Sequence, residues 1–152
     1  MPGYHGKNLR KGRHSEPGHH YVLTSVTHGR QKVFTDWRIG RLLVHEFMLA
    51  DDDQAVESLA WVIMPDHFHW LISLKNGPLS SMMKKVKSRS AISVNKQQDR
   101  NGRAIWQKGY HDHALRKEED IVAIARYIVA NPLRAGLVKK LGDYPLWDAV
   151  WV

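Results

Sequence analysis

A chain of 152 residues has the size of one ordinary domain, large enough to bury a core without disulfides or a structural metal. It holds no cysteine, which excludes disulfide frameworks and thiolate metal sites, and its apolar runs fall far short of the roughly 20 residues a membrane helix needs; no membrane partner and a cytoplasmic location are expected. Lysine and arginine outnumber aspartate and glutamate 23 to 15, a net charge of +8, and the excess is clustered, so nucleic acid is the expected partner and a merely solvated basic surface the plainer alternative.

Residues 1–18 set Lys7, Arg10, Lys11 and Arg13 among Gly3, Gly6, Gly12, Pro17 and Gly18 without an apolar period. That predicts a flexible basic arm ahead of one domain over 19–152. The β-branched and aromatic run from His19 to His28 predicts a first strand. Thr35 or Asp36 then caps a helix to about Ala50, with Ile39, Leu42, Leu43 and Phe47 on one face, ended by the acidic run Asp51–Asp53. In SLAWVIM-PD-HFHWLISL, two apolar stretches around Pro65 and Asp66 predict a hairpin. A helix follows over Leu79 to Gln98, with Met82, Met83 and Val86 on its apolar stripe and Lys84, Lys85, Lys87 and Arg89 largely beside it. Tyr110 to Arg116 reads as a fourth strand, and Glu118 to Ala130 as a helix with Ile121, Ile124, Ala125 and Ile128 turned inward, stopped or kinked at Pro132. The aromatic tail with Tyr144, Pro145, Trp147 and Trp151 is expected to pack back on the body. This order suits an α+β sheet with helices on one face.

Strand alternation puts His67 and His69 on one face and Phe68, Trp70, Ile72 and Leu74 on the other. Two neutral imidazoles so placed can bind one divalent ion, although the same spacing also occurs in structural roles. His111 and His113 repeat the spacing in a polar segment, where a DNA or structural contact is the expected role. Tyr127 and Asn131, four apart, share a helix face. A tyrosine among Ile124 and Ile128 also fits a core position with its hydroxyl at the surface.

The segments MPDHFHWLI and RYIVANPLRAGLV, with YVLTSVTHGRQKVF, WQKGYHDHALR and YPLW in the same order and spacing, resemble the REP-associated tyrosine transposases, IS200-like relatives within the HUH endonucleases. The resemblance covers roughly residues 19–149. It implies a ferredoxin-like βαββαβ core plus an extra C-terminal helix carrying the tyrosine. It further implies His67 and His69 as metal ligands, Asn131 as the third, Tyr127 as nucleophile, and Mg²⁺ or Mn²⁺ as cofactor. Asp66, Phe68, Trp70 and Val129 depart from the family's usual Asn, small aliphatic residue, leucine and histidine. The implied activity is that of a single-stranded DNA endonuclease and strand transferase. It cuts at or near a REP-type hairpin through a 5′-phosphotyrosine, rejoins DNA and acts as a monomer rather than a dimer. The arm residues Lys7, Arg10, Lys11 and Arg13 are the expected grip on the hairpin, and Lys84, Lys85, Lys87 and Arg89 the expected track for a strand. Two rivals are a ferredoxin-like nucleic-acid binder without catalysis, and a metal-dependent phosphoesterase using water.

Overall fold

The computed structural model describes residues 18–116 and 119–151; the arm with Lys7, Arg10, Lys11 and Arg13 lies outside them. Strand β1 (His20–Val26) is followed by α1 (Trp37–Asp52), whose first turn is capped by the Asp36 carboxylate accepting from the Arg38 amide. The acidic run does not stop α1 at Ala50: Asp51 and Asp52 are still helical, and the chain leaves through Asp53 and the positive-φ Gln54. The Asp51 carboxylate accepts from the Ser58 amide, tying that last turn to β2.

The hairpin forms as β2 (Val56–Met64) and β3 (His67–Leu74) joined at Pro65 and Asp66. Then come α2 (Leu79–Gln97), a short β4 (His111–Ala114), α3 (Ile121–Val129), the one-turn α4 (Asn131–Arg134) and β5 (Trp147–Ala149). The expected helix start at Glu118 lies outside the described residues. The observed start is set by Asp120, which caps α3 by accepting from the Ala123 amide, while the Glu119 carboxylate accepts from the Arg116 amide. These acidic side chains satisfy orphan N–H groups around the helix start instead of adding a turn to it.

The sheet runs β4-β1-β3-β2-β5, with every pairing antiparallel. Its first four strands have the order of a ferredoxin-like βαββαβ unit, and β3, the histidine strand, is central. Because side chains alternate, the sheet has two unlike faces. On one, α1 and α2 cover Tyr21, Leu23, Phe68, Trp70, Ile72 and Leu74. Phe47 of α1 stacks on Trp70 at 4.2 Å and meets Phe68 edge-on at 5.1 Å. The extra helix α3 lies on the other face, where Ala125, Ile128 and Val129 meet Val62, Met64 and Leu71 in a smaller apolar cluster.

The tail packs back as expected. Tyr144 donates to the Ile63 carbonyl at 2.6 Å, β5 extends the sheet beyond β2, and Leu146 is buried against Gly40 of α1. A Cβ at Gly40 would lie 2.4 Å from the nearest Leu146 methyl, so any larger residue there must displace the buried Leu146 side chain. Among the described residues no helix is long and apolar enough to cross a membrane.

Candidate active site

Ladders to β1 and β2 on both sides fix the backbone of β3, and its pleat turns His67 and His69 away from the main core. Their ring centroids lie 5.0 Å apart with planes at 74°. His69 Nδ1 pairs with Oγ1 of Thr24, its cross-strand neighbour on β1, at 2.8 Å. His67 Nδ1 pairs with Asp66 Oδ1 at 2.8 Å, and Arg30 approaches the other oxygen of that carboxylate at 3.4 Å.

Burial pushes the Asp66 carboxyl up, but the hydrogen bonds and charges of His67 and Arg30 outweigh it and hold the group below its ordinary value. An ionised carboxylate only accepts, so His67 Nδ1 carries a hydrogen and donates it, leaving Nε2 as the nitrogen directed away from Asp66. Burial, followed by the charges of His67, Arg134 and His111, lowers His69 to about 4. Near neutral pH it is therefore an uncharged imidazole, the form that binds a metal.

Tyr127 stands 66 % exposed on α3, so it is not a core residue with only its hydroxyl at the surface. The helix is held by Ala125, Ile128 and Val129, and the tyrosine projects from its free side. It lines a cavity of about 240 Å³ with Val22, Thr24, His69, His113, Ile124, Ile128 and Arg134. The Arg134 guanidinium lies 3.7 Å from the centroid of the Tyr127 ring.

His111 and His113 pair opposite Thr24 and Val22 across β1–β4 and so share the sheet face of His69. Burial lowers His111, against the opposing charge of Asp112. Asn131 opens α4 one turn beyond Tyr127 but is not among the residues lining the cavity. Val129 is buried in the apolar cluster beneath α3, so its position contributes no proton-transfer group.

Lys84, Lys85, Lys87 and Arg89 belong to α2, across the sheet from this cavity. Lys87 donates to the carbonyls of Gln107 and Gly109, and Arg89 reaches the buried Glu46 at 3.4 Å. The structure thus separates the α2 cations from the histidines and the tyrosine, and engages two of them internally.

The profile of the family described as "Transposase IS200 like" matches residues 15–131. The chain belongs to this IS200-like transposase family. A REP-associated tyrosine transposase of Escherichia coli K12 is 29% identical over 107 residues, covering 69% of this chain and 61% of that protein. The chain thus spans less than two thirds of that relative's length. A Haemophilus influenzae relative is 26% identical over 140 residues, 82% of this chain and 76% of its own length. A solved structure described as a REP-associated tyrosine transposase bound to a REP hairpin matches with TM-score 0.71 and 25% identity, over 97% of this chain and 82% of that one.

A divalent ion in this IS200-like transposase fits the His pair. Both rings face one way, both Nδ1 atoms are already oriented by neighbours, and His69 is kept neutral, which is the outer arrangement that metal-ligating histidines show. Among the described residues no group of three His, Asp or Glu gathers there.

Asp66 supplies an acceptor to His67 and adds a charge. For a pair that holds Mn²⁺, removing the acceptor with Asp66→Ala is expected to weaken that binding by about 10-fold or more, read by titration against the electron-spin signal of free Mn²⁺; no binding to either protein would remove the metal from the reading. Asp66→Asn, which can still accept from Nδ1, should cost only a few-fold by the same reasoning. Equal losses in both variants would mean that charge rather than ring orientation is what matters.

Thr24, Arg30 and Arg134 were not singled out in the sequence. Thr24 alternates with Val22 on β1, a readable signal once β1 is placed beside β3. Arg134 lies seven residues, close to two helical turns, after Tyr127. Treating Pro132 as a break hides that phase, but Ala130 keeps helical angles between α3 and α4.

Proposed function

We propose that the chain is a single-stranded DNA endonuclease and strand transferase that acts beside a REP-type hairpin, with Tyr127 as nucleophile. The observation that carries this reading is the shared cavity of Tyr127 and His69: an exposed phenol and a neutral imidazole of a metal-competent pair line one opening to solvent. The Tyr127 oxygen attacks a backbone phosphorus as its proton passes to solvent. The bond from phosphorus to the 3′-oxygen breaks, and that oxygen leaves as a hydroxyl after taking up a proton from water. The product is a 5′-phosphotyrosine. Because one phosphodiester replaces another, a later 3′-hydroxyl reverses the step and rejoins DNA without a nucleotide cofactor.

His67, His69 and Asn131 would hold Mg²⁺ or Mn²⁺, which when bound supplies polarisation of the scissile phosphate. For Asn131 this asks its side chain to turn from the start of α4 toward the pair. Thr24 and Asp66 hold the two imidazoles in orientation. The hairpin-bound relative and the +8 charge support a hairpin partner, and the arm residues Lys7, Arg10, Lys11 and Arg13 supply its phosphate contacts. The protein acts as a monomer in this reading.

The test uses a 3′-labelled single strand carrying a palindromic hairpin. In Mn²⁺ or Mg²⁺ the label is expected to migrate with protein on a denaturing gel, and in EDTA it should not. Mass spectrometry of the digested adduct should place the DNA on the peptide containing Tyr127. Binding without any adduct across a panel of hairpins would instead favour a binding module.

A further inference from the structure

Arg134 is exposed, and among the described residues no carboxylate pairs with it. Its guanidinium instead lies over the Tyr127 ring at 3.7 Å, in the cavity they share with Thr24, His69 and His113. A guanidinium held over a ring makes no hydrogen bond to it, so the N–H donors of its fork are left for another acceptor. Holding an unpaired cation on a tyrosine face, at the mouth of a cavity lined by imidazoles, gives the site a fixed positive group with no anion of its own.

The acceptor that such a fork matches is a phosphate or a carboxylate. On a chain of net charge +8, with the opening accessible to an extended strand, the observations favour phosphate. The phase of the two helices explains why the contact exists. Arg134 follows Tyr127 by seven residues, and the helical angles of Ala130 carry the register across the α3–α4 junction, returning Arg134 to the tyrosine's side.

We propose that Arg134 forms, with the Tyr127 ring, a binding site for one backbone phosphodiester of single-stranded DNA. The guanidinium grips the two non-bridging oxygens while its contact with the ring holds the phenol beside the same phosphorus. The identity of that phosphate as the one attacked rests on the function proposed above; the binding site itself does not. Thr24 and His69 close the inner wall of the cavity and His113 its β4 side.

The experiment keeps binding apart from chemistry. In a Tyr127→Phe background, which retains the ring, and in EDTA, affinity is measured for a set of otherwise identical single strands, each carrying one neutral methylphosphonate at a successive position. With Arg134 present, one position should show a loss of about tenfold or more, the size expected when a charge-assisted hydrogen bond is removed. In Arg134→Ala that penalty should disappear while penalties elsewhere persist, and Arg134→Lys should restore part of it. A penalty pattern unchanged by Arg134→Ala would overturn the proposal, since a merely structural role does not single out one phosphate. With Tyr127 restored, an adduct at that same linkage joins the two readings. An Arg134-dependent phosphate with no adduct anywhere keeps the binding site and removes the nucleophile. An adduct in the wild type without any Arg134-dependent position does the reverse.

Discussion

Tyr127→Phe is expected to lower covalent adduct formation by at least about a thousandfold, because no other group can take the place of a deleted nucleophile. Affinity for the same DNA should stay nearly unchanged. The substitution removes one oxygen from a side chain that is already 66 % exposed, so folding stability should move by no more than about 0.5 kcal/mol. The phenyl ring remains beneath Arg134, and the cavity keeps its shape. Parallel measurement of adduct by gel, affinity by anisotropy and melting by calorimetry separates these effects. Cleavage that survives in the variant at a substantial fraction of the wild-type rate would move the chemistry to a water nucleophile at the histidine pair.

Phe47→Ala should have the largest effect on stability, about 3–5 kcal/mol, out of a total that for such domains is about 5–15 kcal/mol. Phe47 is 1% exposed and stands where α1 meets the sheet, against Trp70, Phe68 and Trp61. Truncation leaves a hole lined by three rigid rings, which cannot close on it by simple rotamer changes. For a domain of this length a loss of that size lowers the melting temperature by roughly 10 °C. Phe47→Leu, which refills most of the volume, should recover much of it; indistinguishable melting of both variants would show that this contact is not where the fold is held.

The alternation in HFHWLISL is enough to assign both faces of β3, because a strand whose apolar set must be buried leaves its register no freedom. The hairpin at Pro65 and Asp66 and the capped start at Asp36 were equally readable from local chemistry. Partnerships made across the sheet were not. Thr24 reaches His69 only because β1 lies beside β3, and strand order is a tertiary result that neither segment encodes alone. The placement of the α2 lysines was unreadable for the same reason. Charge clustering in sequence says nothing about which face a helix will occupy, and packing of Met82, Met83 and Val86 sends α2 to the side away from the histidines. Arg134 was obscured by a sound rule applied too strongly: Pro132 does divide the helix, but it stands at the second position of α4, where a missing N–H costs little.

The pleat of β3 also bears on how such a chain can change over time. The main core lies behind the strand and a smaller cluster under α3 lies in front of it, while the group assigned the chemistry, Tyr127, stands with Arg134 on exposed surface outside both. Under the proposed function, a single nucleotide change that turns Tyr127 into phenylalanine removes the chemistry while leaving the packing of both clusters as it was. Descendants that survive as DNA-bound regulators would then be separated from active ones by a residue or two, and overall sequence similarity would not tell them apart.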